Sequence, residues 1–282
     1  PLPALAQDGQ VQTKQYDDGG VYEGTFKGGV QHGTGTYKLP NGYEYTGQWI
    51  DGEIKGEGVA RFPNGSVYEG LFAKGKPEGF GKITFADGGT YEGEWEGGVI
   101  SGQGSALYAN GVRYEGGFRN AKHHGKGSMQ SPGGYEYQGD WVDGVKQGTG
   151  KITYPDGNVY EGQWVEGVIE GEGVATYANG LVYEGEFKNA RNHGVGVMTY
   201  PDGYKYEGEW LDGQRHGPAL CTLAQRLEVA LFDPRDEHDL DVREPLVAAE
   251  QGDRLSPRIA GLPSALEQVF TSTPLLLARG LV

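Results

Sequence analysis

A tyrosine recurs every 23 residues along most of this 282-residue chain, with no insertion or deletion between copies. Glycine follows each of these tyrosines two residues later, and Phe or Trp follows four residues later. The tyrosines are Tyr22, Tyr45, Tyr68, Tyr91, Tyr114, Tyr137, Tyr160, Tyr183 and Tyr206. A fixed period of this length is the signature of a repeat architecture, in which small units stack on their neighbours. The sequence therefore predicts a repeat fold rather than an ordinary globular domain.

Each repeat begins with a segment that alternates in the manner of a β-strand. Tyr91, Gly93 and Trp95 occupy every second position, and Glu92 and Glu94 lie between them. Successive side chains of a strand point to opposite faces of the sheet. The alternation therefore predicts one aromatic face and one polar face.

Turn residues close each repeat, as in the run Pro63, Asn64 and Gly65. Proline sets φ near −65° and the later glycine accepts a left-handed backbone, which together favour a tight hairpin turn. We therefore expect an all-β fold, in which nine two-stranded hairpins form an elongated, single-layer antiparallel sheet. Ring pairs contribute about 0.5–1.5 kcal/mol each beyond area burial. Such a sheet therefore needs no second layer.

The order Tyr-Glu-Gly-Glu-Trp, a short glycine-containing loop, His-Gly-x-Gly and then Tyr-Pro-Asp-Gly resembles the MORN repeat (membrane occupation and recognition nexus). The resemblance covers residues 16–217, with small departures such as Thr46 and Gln138 in place of the usual Glu. It implies a curved, elongated antiparallel sheet with a groove that acts as a scaffold, dimerisation module or adaptor. It implies no enzymatic activity.

Composition divides the chain into three segments: an N-terminal stub (1–15), the repeats (16–217) and a leucine-rich tail (218–282). In the stub, the Ala4-Leu5-Ala6 triplet fits the small-residue cleavage site at the end of a signal peptide. This favours an exported, periplasmic or secreted protein. The alternatives are an ordinary disordered terminus and a cytoplasmic location.

The tail changes abruptly in composition, since it contains no Lys and no Tyr. Leu220, Leu223, Leu227 and Leu231 have helical spacing, which predicts an amphipathic helix over 219–232 that caps the sheet edge. The tail beyond this segment reads as weakly ordered. A frameshift that replaced further repeats with out-of-frame residues explains the same change equally well.

The charge and the histidines exclude several classes of function. A formal net charge of −15 disfavours nucleic acid and anionic membranes, because both ligands attract basic surfaces. His32, His124, His193 and His216 share one position of the repeat. Strand spacing places such positions about 9.6 Å apart, too far to share a metal ion. We therefore predict no metal, no cofactor and no catalytic residue.

The aromatic face remains as the candidate functional surface, because a single sheet with rings on one face should leave some ring surface uncovered. We predict a non-catalytic scaffold or adaptor whose groove binds a protein or peptide, with homodimerisation as a further option. The groove residues are the rings of four middle repeats: Tyr91, Trp95, Tyr114, Phe118, Tyr137, Trp141, Tyr160 and Trp164. Alternatives are a carbohydrate or cell-wall binding module and a membrane-associated accessory repeat module.

Overall fold

The computed structural model describes residues 9–223 and 226–231. Within these residues all regular secondary structure is β-strand and there is no helix, which confirms the all-β prediction. The chain forms two compact units that divide between Lys122 and His123. The proposed signal-peptide remnant at residues 1–7 and the tail beyond residue 231 lie outside the described residues.

The first unit is an antiparallel meander in which each strand pairs with the next along the chain. Its strands are β1 (Val11–Gln15), β2 (Val21–Lys27), β3 (Val30–Lys38), β4 (Glu44–Ile50), β5 (Glu53–Arg61), β6 (Val67–Ala73), β7 (Lys76–Thr84), β8 (Thr90–Glu96), β9 (Val99–Leu107) and β10 (Arg113–Arg119). Strand β1 pairs with β2, so the sheet begins before residue 16, where the repeat segment was expected to start.

The second unit has the same sequential antiparallel pairing. Its strands are β11 (Lys122–Gln130), β12 (Glu136–Val142), β13 (Val145–Thr153), β14 (Val159–Val165), β15 (Val168–Thr176), β16 (Val182–Lys188), β17 (Arg191–Thr199), β18 (Lys205–Leu211), β19 (Gln214–Leu223) and β20 (Arg226–Leu231).

Two kinds of turn alternate along the chain. Within a repeat, the strands meet at two residues that both have positive φ, for example Asp51 (51°) and Gly52 (85°). Positive φ at both central positions is the type I′ geometry, whose twist matches that of the flanking strands. Between repeats, Asn64 accepts a hydrogen bond from the backbone N–H of Ser66 (2.9 Å) through its side chain, and Gly65 has positive φ (89°). The sequence had predicted the second turn but not the first.

A β-bulge interrupts each regular hairpin. In the first, the register passes from Gly24–Gly35 directly to Phe26–Gln31, so three residues of β3 lie opposite Thr25. The same irregularity occurs in six further within-repeat hairpins, three in each unit. The bulge keeps the aromatic residues of the two strands on one face although the strands differ in length.

The prediction of a capping helix over 219–232 is wrong for the residues that the structure describes. β19 continues through Leu223 and pairs with β18 as the second strand of the ninth repeat, and β20 pairs with β19. The backbone groups on the free edge of β18 need partners, and a strand supplies them in register, with Ala219 opposite Gly208. The helical spacing of the leucines did not outweigh the backbone pairing that the edge of β18 offers.

Candidate functional site

The repeat tyrosines are fixed at both ends. Each hydroxyl donates to the backbone carbonyl three residues further along the same strand, at 2.9–3.2 Å in all nine repeats. The ring lies across two facing glycines, so that a Cβ on Gly81 would overlap the Tyr68 ring. The glycine columns therefore exist to seat the tyrosines.

The rings form a ladder that links neighbouring repeats. Tyr68 packs edge-to-face on Phe72 of its own repeat (5.0 Å between centroids) and on Trp95 of the next (5.1 Å). Tyr137 makes the same two contacts in the second unit, with Trp141 (5.1 Å) and Trp164 (5.3 Å). All five tryptophans donate Nε1–H to a glycine carbonyl of the preceding repeat at 3.2–3.3 Å. Within each unit, a repeat tyrosine is thus covered by the Trp or Phe of the next repeat.

The eight predicted groove rings are at most 4% exposed. The expectation that a single-layer sheet leaves ring surface uncovered is therefore wrong for these residues. Within a unit the next repeat supplies cover, as Phe118 does for Tyr91 (5.0 Å between centroids). Partner binding by Tyr91, Trp95, Tyr114, Phe118, Tyr137, Trp141, Tyr160 and Trp164 remains a prediction.

Burial also fixes the protonation state of the tyrosines. Desolvation raises the pKa of Tyr22 to about 12. Desolvation likewise raises the pKa of Tyr91, where the nearby Glu94 carboxylate acts in the same direction. Burial disfavours the phenolate because the charge would leave water. The hydroxyls therefore remain neutral hydrogen-bond donors at physiological pH.

Cationic side chains lie against the rings in the second unit, and the sequence analysis missed them. Lys146 Nζ lies 4.9–5.2 Å from the ring centroids of Tyr135, Tyr137 and Trp164. Arg215 lies 4.9 Å from the centroid of Tyr206. These are cation–π distances. Both residues occupy the position directly opposite the Trp or Phe in the hairpin, and Ile occupies that position in several other repeats. Gln31, Pro77 and Asn192 hold the position in other hairpins, so a charged residue in a column of uncharged ones was the available signal.

His123 occupies the same column and is buried, with its ring edge-to-face against Trp141 (5.0 Å between centroids). Desolvation lowers the pKa of His123 to about 3. The imidazole is therefore neutral at physiological pH.

Three of the other histidines link a repeat to the type I′ turn of the next. His32 Nδ1 lies 3.3 Å from Asp51 Oδ1 and accepts a hydrogen bond from the Asp51 N–H (3.4 Å). His124 and His193 take the equivalent position beside the aspartates of the following turns. Glu78 serves the same purpose elsewhere, since its carboxylate accepts from the Gly97 N–H (2.8 Å). In the described part of the chain, no three His, Cys, Asp or Glu side chains are grouped to hold a metal ion.

The polar face carries a second recurrent hydrogen bond. A side-chain oxygen three residues after the repeat tyrosine accepts from a backbone N–H of the bulge: Gln48 from Glu57 (3.1 Å) and Asp140 from Thr149 (3.0 Å). Glu94, Gln163 and Glu186 make the same bond. This side chain therefore has a structural task and cannot be replaced freely.

The repeat segments match a known family along most of the chain. The MORN repeat matches nine consecutive segments between residues 22 and 225. The chain is a MORN-repeat protein. The matches are 22–42, 45–67, 68–90, 91–113, 114–134, 137–159, 160–182, 183–203 and 206–225. The final MORN segment includes β19, in agreement with its place as the second strand of a ninth hairpin.

Solved structures show a loose likeness to this MORN sheet. One is the TCP domain of SAS-4 from Drosophila melanogaster in complex with a proline-rich motif of Ana2. Its sequence is 14% identical and its TM-score is 0.36, and the match covers 63% of this chain and 90% of that chain. Another is the TCP10 domain of CPAP from Danio rerio in complex with a STIL peptide. Its sequence is 16% identical and its TM-score is 0.26, and the match covers 79% of this chain and 98% of that chain. TM-scores this low carry no functional argument. A comparison with curated proteins found no match.

MORN repeats are generally protein- or membrane-interaction repeats and are typically non-catalytic. Among the described residues, no helix is long and apolar enough to cross a membrane.

Proposed function

We propose that this MORN-repeat protein is a non-catalytic scaffold that binds a protein or peptide on the outside of its ring ladder. The observation that supports this most directly is the mutual burial of the rings, which leaves the polar face and the turns as accessible surface. The ladder then serves as a frame that holds the outer side chains in a constant register. Direct contact between a partner and the eight groove rings is the alternative.

The charge of the chain narrows the class of partner. A net charge of −15 repels nucleic acid and anionic lipid headgroups and attracts basic protein surfaces. A carbohydrate site requires exposed ring platforms, and the eight rings are buried. A protein or peptide with basic character is therefore the partner that best fits the surface.

The test begins with the full chain as bait in an extract of the native host, followed by reconstitution with the purified partner. We expect a stoichiometric complex in physiological salt. Glu92→Lys should weaken this complex, whereas Phe118→Leu, which keeps an apolar side chain in the ladder, should not. The opposite ranking in folded variants would place the partner on the rings. Failure to reconstitute any protein complex would overturn the scaffold proposal.

Sedimentation of the purified chain over a range of concentrations tests the dimer option separately. A second copy could add to the free edge of a terminal strand.

A further inference from the structure

The third repeat has an apolar side chain at a position of the polar face where seven other repeats have a polar one and the fifth has Gly117. Leu71 occupies the position at which Gln48, Glu94, Asp140, Gln163 and Glu186 accept a hydrogen bond from the bulge. A leucine side chain has no acceptor atom. The third repeat therefore gives up the side-chain bond that stabilises the bulge in five other repeats.

Leu71 gains no burial in exchange. Its side chain is 41% exposed, and it packs beside the bulge at Gly79, where a Cβ would lie 3.3 Å from Leu71 Cδ1. The substitution thus costs a hydrogen bond without adding a residue to the core. Such a combination points to a role outside folding.

The bulge opposite Leu71 presents a second exposed apolar side chain. Phe80 is 57% exposed, whereas the Phe or Trp four residues after each repeat tyrosine is buried in the ladder. Gly70 and Gly81 are directly paired and face the Tyr68 ring. Leu71 follows Gly70 and Phe80 precedes Gly81, so both side chains point to the opposite, polar face.

Carboxylates surround this apolar pair. Glu57 is the register partner of Leu71, and Glu94 is the register partner of Phe80. Glu69 and Glu92 lie on either side of Lys82, which is 3.7 Å from Glu92. All four glutamates are exposed. The rim of the apolar pair is therefore predominantly negative.

We propose that Leu71 and Phe80 form a docking site, on the polar face of the first unit, for a protein segment that combines apolar and basic side chains. Apolar anchors at the centre and charges at the rim are the usual anatomy of a binding hot spot. The apolar side chains of the segment cover Leu71 and Phe80, and its Lys or Arg side chains meet the surrounding glutamates. The inference rests on the proposed scaffold function and adds a place and a partner chemistry.

The probe is a short, capped peptide of alternating Lys and Leu, and its matched control is a peptide of alternating Lys and Ser. Binding of each to the full chain is measured by calorimetry in physiological salt. We expect the Lys–Leu peptide to bind at least about tenfold more tightly, because it can cover the apolar pair. Equal affinities would mean attraction by charge alone and would overturn the site.

The decisive variant is Leu71→Gln combined with Phe80→Thr, which installs residues found at these positions in the second and sixth repeats. We expect it to lose the tenfold preference for the Lys–Leu peptide. Val195→Thr is the control, because Val195 is a 60% exposed apolar side chain at the position equivalent to Phe80 in the second unit. An unchanged preference in the double variant, or an equal loss in the control, would overturn the proposal.

Two further measurements separate the possible failures. Leu71→Gln alone should be at least as stable to denaturant as the parent, because Gln restores the acceptor at the bulge, so lost binding cannot be attributed to unfolding. Wild-type self-association that the double variant abolishes would make a second copy the occupant and overturn the basic-partner proposal. If a partner captured from the host binds the double variant normally, the docking-site proposal is overturned and the scaffold proposal is not affected.

Discussion

The repeat tyrosine, its two glycines and the following tryptophan act as one structural group. In the fourth repeat, Trp95 packs on Tyr68 and Tyr91 and donates its indole N–H to the Gly81 carbonyl (3.2 Å). Its side chain is buried. Loss of the indole therefore removes ring contacts in two repeats and leaves a buried carbonyl without its side-chain donor.

We expect Trp95→Ala to lower the free energy of unfolding by about 3–5 kcal/mol, as for other buried aromatic residues. Trp95→Phe should cost much less, because Phe72 and Phe118 fill the same position in the neighbouring repeats. Denaturant titration measures both. Wild-type stability for Trp95→Ala would show that the ladder does not hold the sheet together.

His123 provides a test by pH. Its folded pKa of about 3 lies below the ordinary value of 6.5, so the unfolded chain binds the proton first. The contribution of the neutral imidazole to stability is therefore complete above pH 6.5 and is lost as the pH falls toward 3.

Between pH 7 and pH 5, the parent should lose up to about 2 kcal/mol more stability than His123→Ile. Isoleucine is the matched replacement because Ile100 and Ile169 occupy this column in other repeats. Denaturation midpoints at the two pH values measure the difference. Parallel pH profiles would mean that His123 does not titrate on unfolding.

At the scale of the hairpin, the type I′ turn imposes positive φ on two successive residues. Seven repeats place Gly at the second position, whereas Ala121 (58°) and Ala190 (59°) hold it in two others. An L-residue in this region crowds its own carbonyl oxygen at a cost of roughly 1–2 kcal/mol. These two turns are therefore strained.

Ala121→Gly should raise the free energy of unfolding by about 0.5–1 kcal/mol, since relief of strain exceeds the greater flexibility of glycine in the unfolded chain. Thermal or denaturant unfolding measures it. The control is Gly133→Ala, where φ is not in the left-handed region and the nearest atom to a new Cβ, Ser131 Oγ, is 3.7 Å away. A destabilised Ala121→Gly would contradict the strain argument.

Much of the hairpin was predictable from local sequence. The alternation of Tyr91, Gly93 and Trp95 identified the strand and its two faces, and the Asn-Gly pairs located the turns between repeats. The bulge was not predictable, because it follows from strands of unequal length that must keep their rings in register. The strand at β19 was missed because its leucines suggested a helix, whereas the pairing edge that decided the outcome is not local.

The burial of the groove rings was also beyond the sequence. A sheet of one layer was expected to expose its aromatic face, but Tyr68 is covered by Trp95 of the following repeat. The docking site at Leu71 could be recognised only from the structure, which shows that side chains at the equivalent position of other repeats accept a hydrogen bond from the bulge. Exposure alone does not distinguish a binding residue from an ordinary surface leucine.

At the scale of the molecule, the net charge of −15 makes a testable statement about membranes. The chain should not co-sediment with anionic liposomes at physiological salt, because like charges repel and the headgroup potential reaches only about a Debye length. Neutral liposomes are the control. Strong co-sedimentation that salt abolishes would reveal a local basic patch that outweighs the net charge.

Within each unit, the ladder contacts described above join neighbouring repeats through rings, indole N–H groups and turn aspartates. Within each unit, an internal repeat is therefore coupled to two neighbours, while a repeat at a free end is held by one. Under tension such a chain should unfold from one end, one hairpin at a time. Each event would release 23 residues, on the order of 80 Å of extended chain, so a single-molecule pulling trace should show extension steps of equal size.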